Sequence, residues 1–287
     1  MCGRYVMARA TSDLVALGDA ETNEELVLRQ SWNVAPTAEV PILVAHADDV
    51  GAGGSRGGDG GAGAGAGVTR RIHVARWGLV PPWAKELSVG SRAFNARSET
   101  VASKPTFRAA VRARRCAVPV EGYYEWKTPE PGAKGPDGRA AKKQPYYVHP
   151  AGAGDGEGPV IWFAGLYEWW QDPEAQAAGE DAWVLSTTIL TMAAPDADDD
   201  EPVLAALGQL HDRMPVPMDA ETMGRWLAPD TLGSAEEADA LVGEVCAGAY
   251  DVAAGWSLRP VGGAVGNVRN NGPELTQEMR EQQGTLL

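Results

Sequence analysis

The stretch that decides the fold is RRCAVPVEGYYEWK, residues 114–127. It is a short apolar segment closed on its far side by a polar, Gly/Pro-rich break, and it reads as strand. Three more segments of the same kind follow: QPYYVHP (144–150), PVIWFAGLYEWW (159–170) and AWVLSTTIL (182–190). Breaks at 128–143, 151–158 and 171–181 separate them. The middle of the chain is therefore predicted to be mostly sheet or barrel.

Towards the N-terminus, VPILVAH (40–46) and RRIHVARWGLV (70–80) carry β-branched residues in partial alternation, as paired strands do. Between them lies GAGGSRGGDGGAGAGAG (51–67), which has no side chains with which to build a core and is predicted to be a flexible insertion. Helices are predicted at the periphery. One covers SDLVALGD from a cap at Thr11 or Ser12, and one falls in SKPTFRAAVRA (103–113). Two more, DAETMGRWL (219–227) and SAEEADALVGEVCAG (234–248), carry acids in their first turns. Strands and helices do not alternate, which disfavours a doubly wound parallel sheet. The expected architecture is a single α+β domain on an antiparallel sheet or barrel.

At 287 residues and 44% hydrophobic content, the chain can bury a substantial core. Its three cysteines, Cys2, Cys116 and Cys246, are far apart and odd in number. That argues against a disulfide framework and, with no C-x-x-C, against a structural zinc site. No cofactor is expected. No apolar run of membrane-spanning length and no basic-apolar leader is present, so a cytoplasmic protein is expected. The net charge is −14, yet residues 70–127 hold twelve Lys and Arg against four acids, so the remainder sums to −22. From Gln144 to Asp212 there is no Lys or Arg, and DADDDE (196–201) is a solvated acidic run. One basic face on an acidic protein suits a polyanion led into a single groove.

The chain begins MCGRY. Loss of Met1 would leave Cys2 with a free α-amine beside its thiol. Such an aminothiol either captures an aldehyde, first as an imine and then as a five-membered thiazolidine, or performs acyl transfer with the amine as base. Gly3 lets the backbone approach a ligand, and Arg4 offers a planar fork for phosphate. In AFNARSET (93–100), Asn95 and Arg97 alternate and would share one face of an extended segment. In VEGYYEWK (120–127), Glu125 sits between aromatics, where burial would favour its neutral form and suit it to proton shuttling. In GQLHDRMPV (208–216), His211 falls on a loop. Trp77, Trp83, Tyr123, Tyr124 and Trp126 are interleaved with the basic residues, a pattern for stacking single-stranded bases. Trp162, Trp169, Trp170 and Trp183, in the acid-rich half, are expected in the core.

Eight segments in order, MCGRY, WNVAPT (32–37), RWGLVPPW (76–83), FNARSET (94–100), RRCAVPVEGYYEWK, FAGLYEWW (163–170), LHDRMP (210–215) and VGNVRNNGPEL (265–275), resemble the SRAP family of SOS response-associated peptidases, or abasic-site processing proteins. The matches run from residue 1 to about 275, leaving 276–287 as a tail. The resemblance implies a protein that binds single-stranded DNA at abasic sites and crosslinks itself to them through Cys2. It implies that Asn95 positions the amine, that Glu125 shuttles protons, and that His211 protonates or stabilises the sugar oxygen. It further implies that Arg4 and Arg97 hold flanking phosphates and that the Trp77–Trp83 segment packs against displaced bases. The peptidase of the family name is best understood as removal of Met1, which an aminopeptidase could equally perform. The chain departs from the compact family pattern in the 51–67 tract and the acidic stretch around 196–209. A class II glutamine amidotransferase, which also starts at a cysteine followed by glycine, is the alternative; its downstream arginine and glycine signatures are missing.

Overall fold

In the computed structural model, which describes residues 2–21, 26, 28–47, 67–135, 137–152 and 158–279, the 114–127 stretch makes two consecutive strands in two different sheets. The strands are β1 (Arg4–Met7), β2 (Ser31–Val34), β3 (Glu39–Ala47), β4 (Val68–Trp77), β5 (Asn95–Arg97), β6 (Arg115–Val120), β7 (Gly122–Lys127), β8 (Gln144–Pro150), β9 (Ile161–Gln171), β10 (Trp183–Ala193), β11 (Arg213–Pro215), β12 (Pro217–Met218) and β13 (Trp256–Pro260). All six residues of β6 are buried, as a continuous apolar run requires. Glu121 alone separates it from β7, its N–H donating to the Val6 carbonyl and its carboxylate accepting from the Ala8 N–H at 2.7 Å. Gly122 follows because Tyr147 and the Val148 carbonyl come too close for a Cβ.

One sheet runs β13-β8-β7-β1-β2 and is antiparallel throughout. The other runs β11-β10-β4-β3-β6-β9-β12, with β5 added on β10. Strand β9 also pairs with β10, so β10, β4, β3, β6 and β9 close into a five-stranded barrel without open edges. The expected pairing of the strands flanking the Gly/Ala tract is found, with Glu39 opposite Arg76 and Ala47 opposite Val68. The tract itself lies, apart from Gly67, outside the described residues, as does the tail from 280 onward. Two pairings, β10 with β4 and with β5, are parallel rather than antiparallel.

The helices are α1 (Thr11–Gly18), α2 (Arg108–Ala113), α3 (Pro173–Ala177), α4 (Pro202–Leu210), α5 (Ala220–Trp226), α6 (Ala235–Ala247) and α7 (Ala249–Ala253). Asp219 and Ser234 cap α5 and α6, accepting from Thr222 and Glu237 N–H groups. In α1 the capping position is Ala10, which has no side-chain acceptor, so neither Thr11 nor Ser12 is the cap. The segment 196–209 is not simply an acidic loop. Pro202 starts α4, which buries Leu204, Leu207 and Leu210 against β7 and β13. Arg115 is buried, and its guanidinium donates to the carbonyls of Val111, Arg112, Trp226, Ala228 and Asp230. Five acceptors offset its desolvation and tie α2 to the end of α5. Among the described residues no helix is long and apolar enough to cross a membrane.

Candidate active site

Cys2 enters the molecule just ahead of β1, which lies between β7 and β2 with Tyr5 opposite Tyr123 and Arg4 opposite Tyr124. The residue is fully buried and joins Tyr5 and Trp77 in the main core. Burial pushes its thiol well above the ordinary thiol range, and the Glu125 carboxylate pushes it further in the same direction. The group is therefore a neutral S–H at physiological pH. Glu125, on β7, is itself buried, with Oε1 accepting from the Trp126 N–H at 3.1 Å. Tyr5 and Tyr123 are buried phenols raised by desolvation first and by Cys2 second, with Glu125 a further cause at Tyr123. Cys2, Glu125 and the two phenols thus form one electrostatically coupled group, in which additional negative charge is disfavoured.

Asn95 reaches this group from the barrel. Strand β5 runs parallel to β10, Asn95 lying opposite Ile189, and the Asn95 Nδ2 donates to the Cys2 carbonyl at 2.8 Å. Its Oδ1 is buried and has no hydrogen-bond partner, an open acceptor next to the residue that would carry the α-amine. Buried Ala96 separates it from Arg97, whose side chain is exposed, so the expected alternation holds. Beside Asn95 opens a cavity of about 570 Å³ whose wall includes Arg92, Lys104, Ser88 and Phe107.

His211 terminates α4, the helix that packs on the Glu125 strand. Its Nδ1 lies 2.9 Å from the Arg213 N–H and 2.6 Å from the Asp212 carboxylate. Nδ1 thus faces a backbone donor and a carboxylate at once, the Asp212 side chain being 84% exposed. Sequence reasoning missed the support of this turn. Arg213 makes a two-point ion pair with Glu99, at 2.6 and 3.0 Å, and donates to the Thr191 carbonyl. This ties the His211 turn to the segment carrying Asn95 and Arg97.

Arg4 donates to Asn33 Oδ1 and to the carbonyls of Val265 and Gly266. Asn33 in turn donates to the carbonyls of Val265, Asn267 and Asn270. The WNVAPT and VGNVRNN segments are thereby clamped together, and much of the Arg4 fork is occupied by protein acceptors. Trp77 requires a correction. It is completely buried, its Nε1–H donating to the Phe94 carbonyl and its ring edge-on to Tyr5 and Phe94, so it is core and presents no face to a base. Trp83, six residues on, is 60% exposed. Trp162 and Trp170 are core as expected, but Trp169 and Trp183 are exposed, because they lie on the outward face of the β9–β10 hairpin. Among the described residues no cluster of three or more His, Cys, Asp or Glu could hold a metal ion.

The chain is 29% identical over 230 residues to the abasic site processing protein YoqW of Bacillus subtilis, covering 80% of this chain and 81% of that one. It is 28% identical to the abasic site processing protein HMCES of Rattus norvegicus over 71% of this chain and 56% of the relative. Among solved structures, a protein from Bacteroides thetaiotaomicron superposes with a TM-score of 0.66 at 19% identity, over 97% of this chain and all of the other. One from Bordetella bronchiseptica gives 0.56 at 21% identity, over 91% of this chain and all of the other. Both share the fold. The family model described as SOS response associated peptidase (SRAP) matches residues 1–268, and the chain belongs to the SRAP family.

Proposed function

We propose that the protein processes abasic sites in single-stranded DNA by capturing the sugar aldehyde on Cys2 as a thiazolidine. The single observation that carries this reading is the 2.8 Å bond from Asn95 to the Cys2 carbonyl, which fixes the one residue able to offer amine and thiol together. The names of the relatives, abasic site processing proteins, support the substrate.

Hydrolysis of the Met1–Cys2 bond, by the chain itself or by an aminopeptidase, consumes one water and frees the amine. Ring opening of the abasic sugar moves the C1′ hydroxyl proton to a base and delivers one to O4′, tasks that fall to Glu125 and to His211. The amine adds to the C1′ aldehyde and loses water to give an imine. The thiol then adds across the C=N bond, sulfur to carbon and proton to nitrogen. A buried thiol that keeps its proton needs a base as it closes the ring, and Glu125 supplies one. The cavity beside Asn95, lined by Arg92 and Lys104, offers charge to phosphates, and elsewhere on the surface Arg97 offers a further charge and Trp83 an exposed ring for bases.

The test is a denaturing gel of protein incubated with a single strand bearing one abasic site. A heat-stable adduct that disappears in Cys2→Ala supports the proposal, and an adduct formed equally by Cys2→Ala refutes it.

A further inference from the structure

The end of the β9–β10 hairpin leaves two tryptophans in solvent. Alternation along these strands sends Trp170 and Val184 inward, where they pack with Val80 and Ala84. It sends Trp169 and Trp183 outward, 44% and 52% exposed. Trp169 lies opposite Leu185, and Trp183 lies opposite Gln171 in the next pair on the same face. The two indoles and the half-buried Leu185 therefore form one continuous patch. Helix α3, in the connection between the two strands, buries none of its residues. That connection also carries Asp172, Glu174, Glu180 and Asp181, none of which joins an ion pair among the described residues. Asp181 accepts from the Trp183 Nε1–H at 2.6 Å, which holds a carboxylate at the edge of that ring. No Lys or Arg occurs from Gln144 to Asp212, so the hairpin supplies no cation of its own.

An exposed indole attracts a cation, above all a guanidinium that can lie flat on its face. Carboxylates without cationic partners share that preference and repel nucleic acid. Together the two indoles expose about the area of one tryptophan side chain, on the order of 250 Å², against roughly 800 Å² per partner in a standard stable interface. The patch therefore fits a short segment better than a second copy of this chain. We propose that the hairpin docks an arginine-bearing segment of a partner protein, with guanidinium groups stacked on Trp169 and Trp183 and paired with Asp181 and the neighbouring acids. This surface takes no part in Cys2 chemistry, and its test is independent of the abasic-site reading.

Fluorescence anisotropy of a labelled heptapeptide alternating Arg and Leu is compared with that of the same peptide carrying Lys or Glu in place of Arg. Expected is saturable binding of one Arg peptide per chain, about tenfold weaker in Trp169→Ala, in Trp183→Ala and in the double variant Glu180→Gln, Asp181→Asn. The Lys peptide should bind several-fold more weakly, and the Glu peptide should not bind. All four side chains are exposed, so thermal unfolding of the variants should match that of the parent chain. Absence of Arg-peptide binding overturns the proposal. Equal binding by all variants, or a loss confined to the carboxylate variant, also overturns it, because either reports only attraction to the net charge of −14. A Lys or Glu peptide that binds as tightly as the Arg peptide removes the preference for guanidinium and overturns it as well. So does a chain that binds no peptide but forms dimers in sedimentation that Trp183→Ala abolishes, since the patch is then an interface between copies.

Discussion

The side-chain amide of Asn95 holds the carbonyl of Cys2 at 2.8 Å, although 93 residues separate them in the chain. The bond crosses from the barrel to the five-stranded sheet and sets the position of Cys2. Asn95→Ala should slow crosslinking by about tenfold, the cost of roughly one buried hydrogen bond, while leaving DNA affinity nearly unchanged. Adduct formation timed at saturating DNA separates the two effects. A loss confined to affinity would give Asn95 a binding role instead.

Glu125 and burial both keep the Cys2 thiol protonated. Because the shift is upward, labelling of Cys2 by iodoacetamide should stay slow as pH passes the ordinary thiol pKa of about 8.5 and rise only beyond it. Glu125→Gln removes one of the two causes, so the profile should move to lower pH. Peptide mass analysis reads the N-terminal label separately from Cys116 and Cys246. An unmoved profile would mean that Glu125 does not act on the thiol.

The Glu99–Arg213 pair should give the His211 turn an acid-side weakness. Its hydrogen bond to Arg213 holds the Glu99 carboxyl below the usual carboxylate range. A depressed folded value means that the stabilisation is fully present above the ordinary pKa of about 4.3 and is lost as pH falls through the folded value. Glu99→Gln should remove this dependence and slow crosslinking at neutral pH, with partial rescue by Glu99→Asp. Acid unfolding and crosslinking rates measured on the same samples check both.

Two tryptophans of one motif should behave in opposite ways. Trp77→Ala should cost about 3–5 kcal/mol of stability in urea unfolding, because it empties a large buried site. Trp83→Ala should leave stability unchanged and cost about 1–3 kcal/mol in single-strand affinity.

Arg97→Ala should weaken DNA binding and lower the salt slope by about one unit, the mark of one lost phosphate contact. Affinity measured across a salt series reads the slope directly.

The barrel was legible where local chemistry decides structure. The strands around the Gly/Ala tract announce themselves by β-branched alternation, and Asp219 and Ser234 announce α5 and α6 as acceptors for first-turn N–H groups. Helix α4 was masked by the acids preceding it, although Pro202 and the Leu204, Leu207, Leu210 spacing mark its start and its buried face. The Arg4–Asn33 clamp joins residues more than 200 positions apart, which no window of sequence reveals. Residue type also could not tell buried Trp77 from exposed Trp83, or predict that Trp169 and Trp183 face outward, because exposure depends on which strands close the barrel.

The most direct test of Cys2 capture is the intact mass of the adduct formed with a single strand carrying one abasic site. Amine, thiol and aldehyde join with loss of one water, so the mass should equal protein without Met1, plus the oligonucleotide, minus one water. An adduct that retains Met1, that forms on undamaged DNA, or that withstands heating equally in Cys2→Ala, whose amine alone can give only a hydrolysable imine of the same mass difference, would contradict capture by the N-terminal aminothiol.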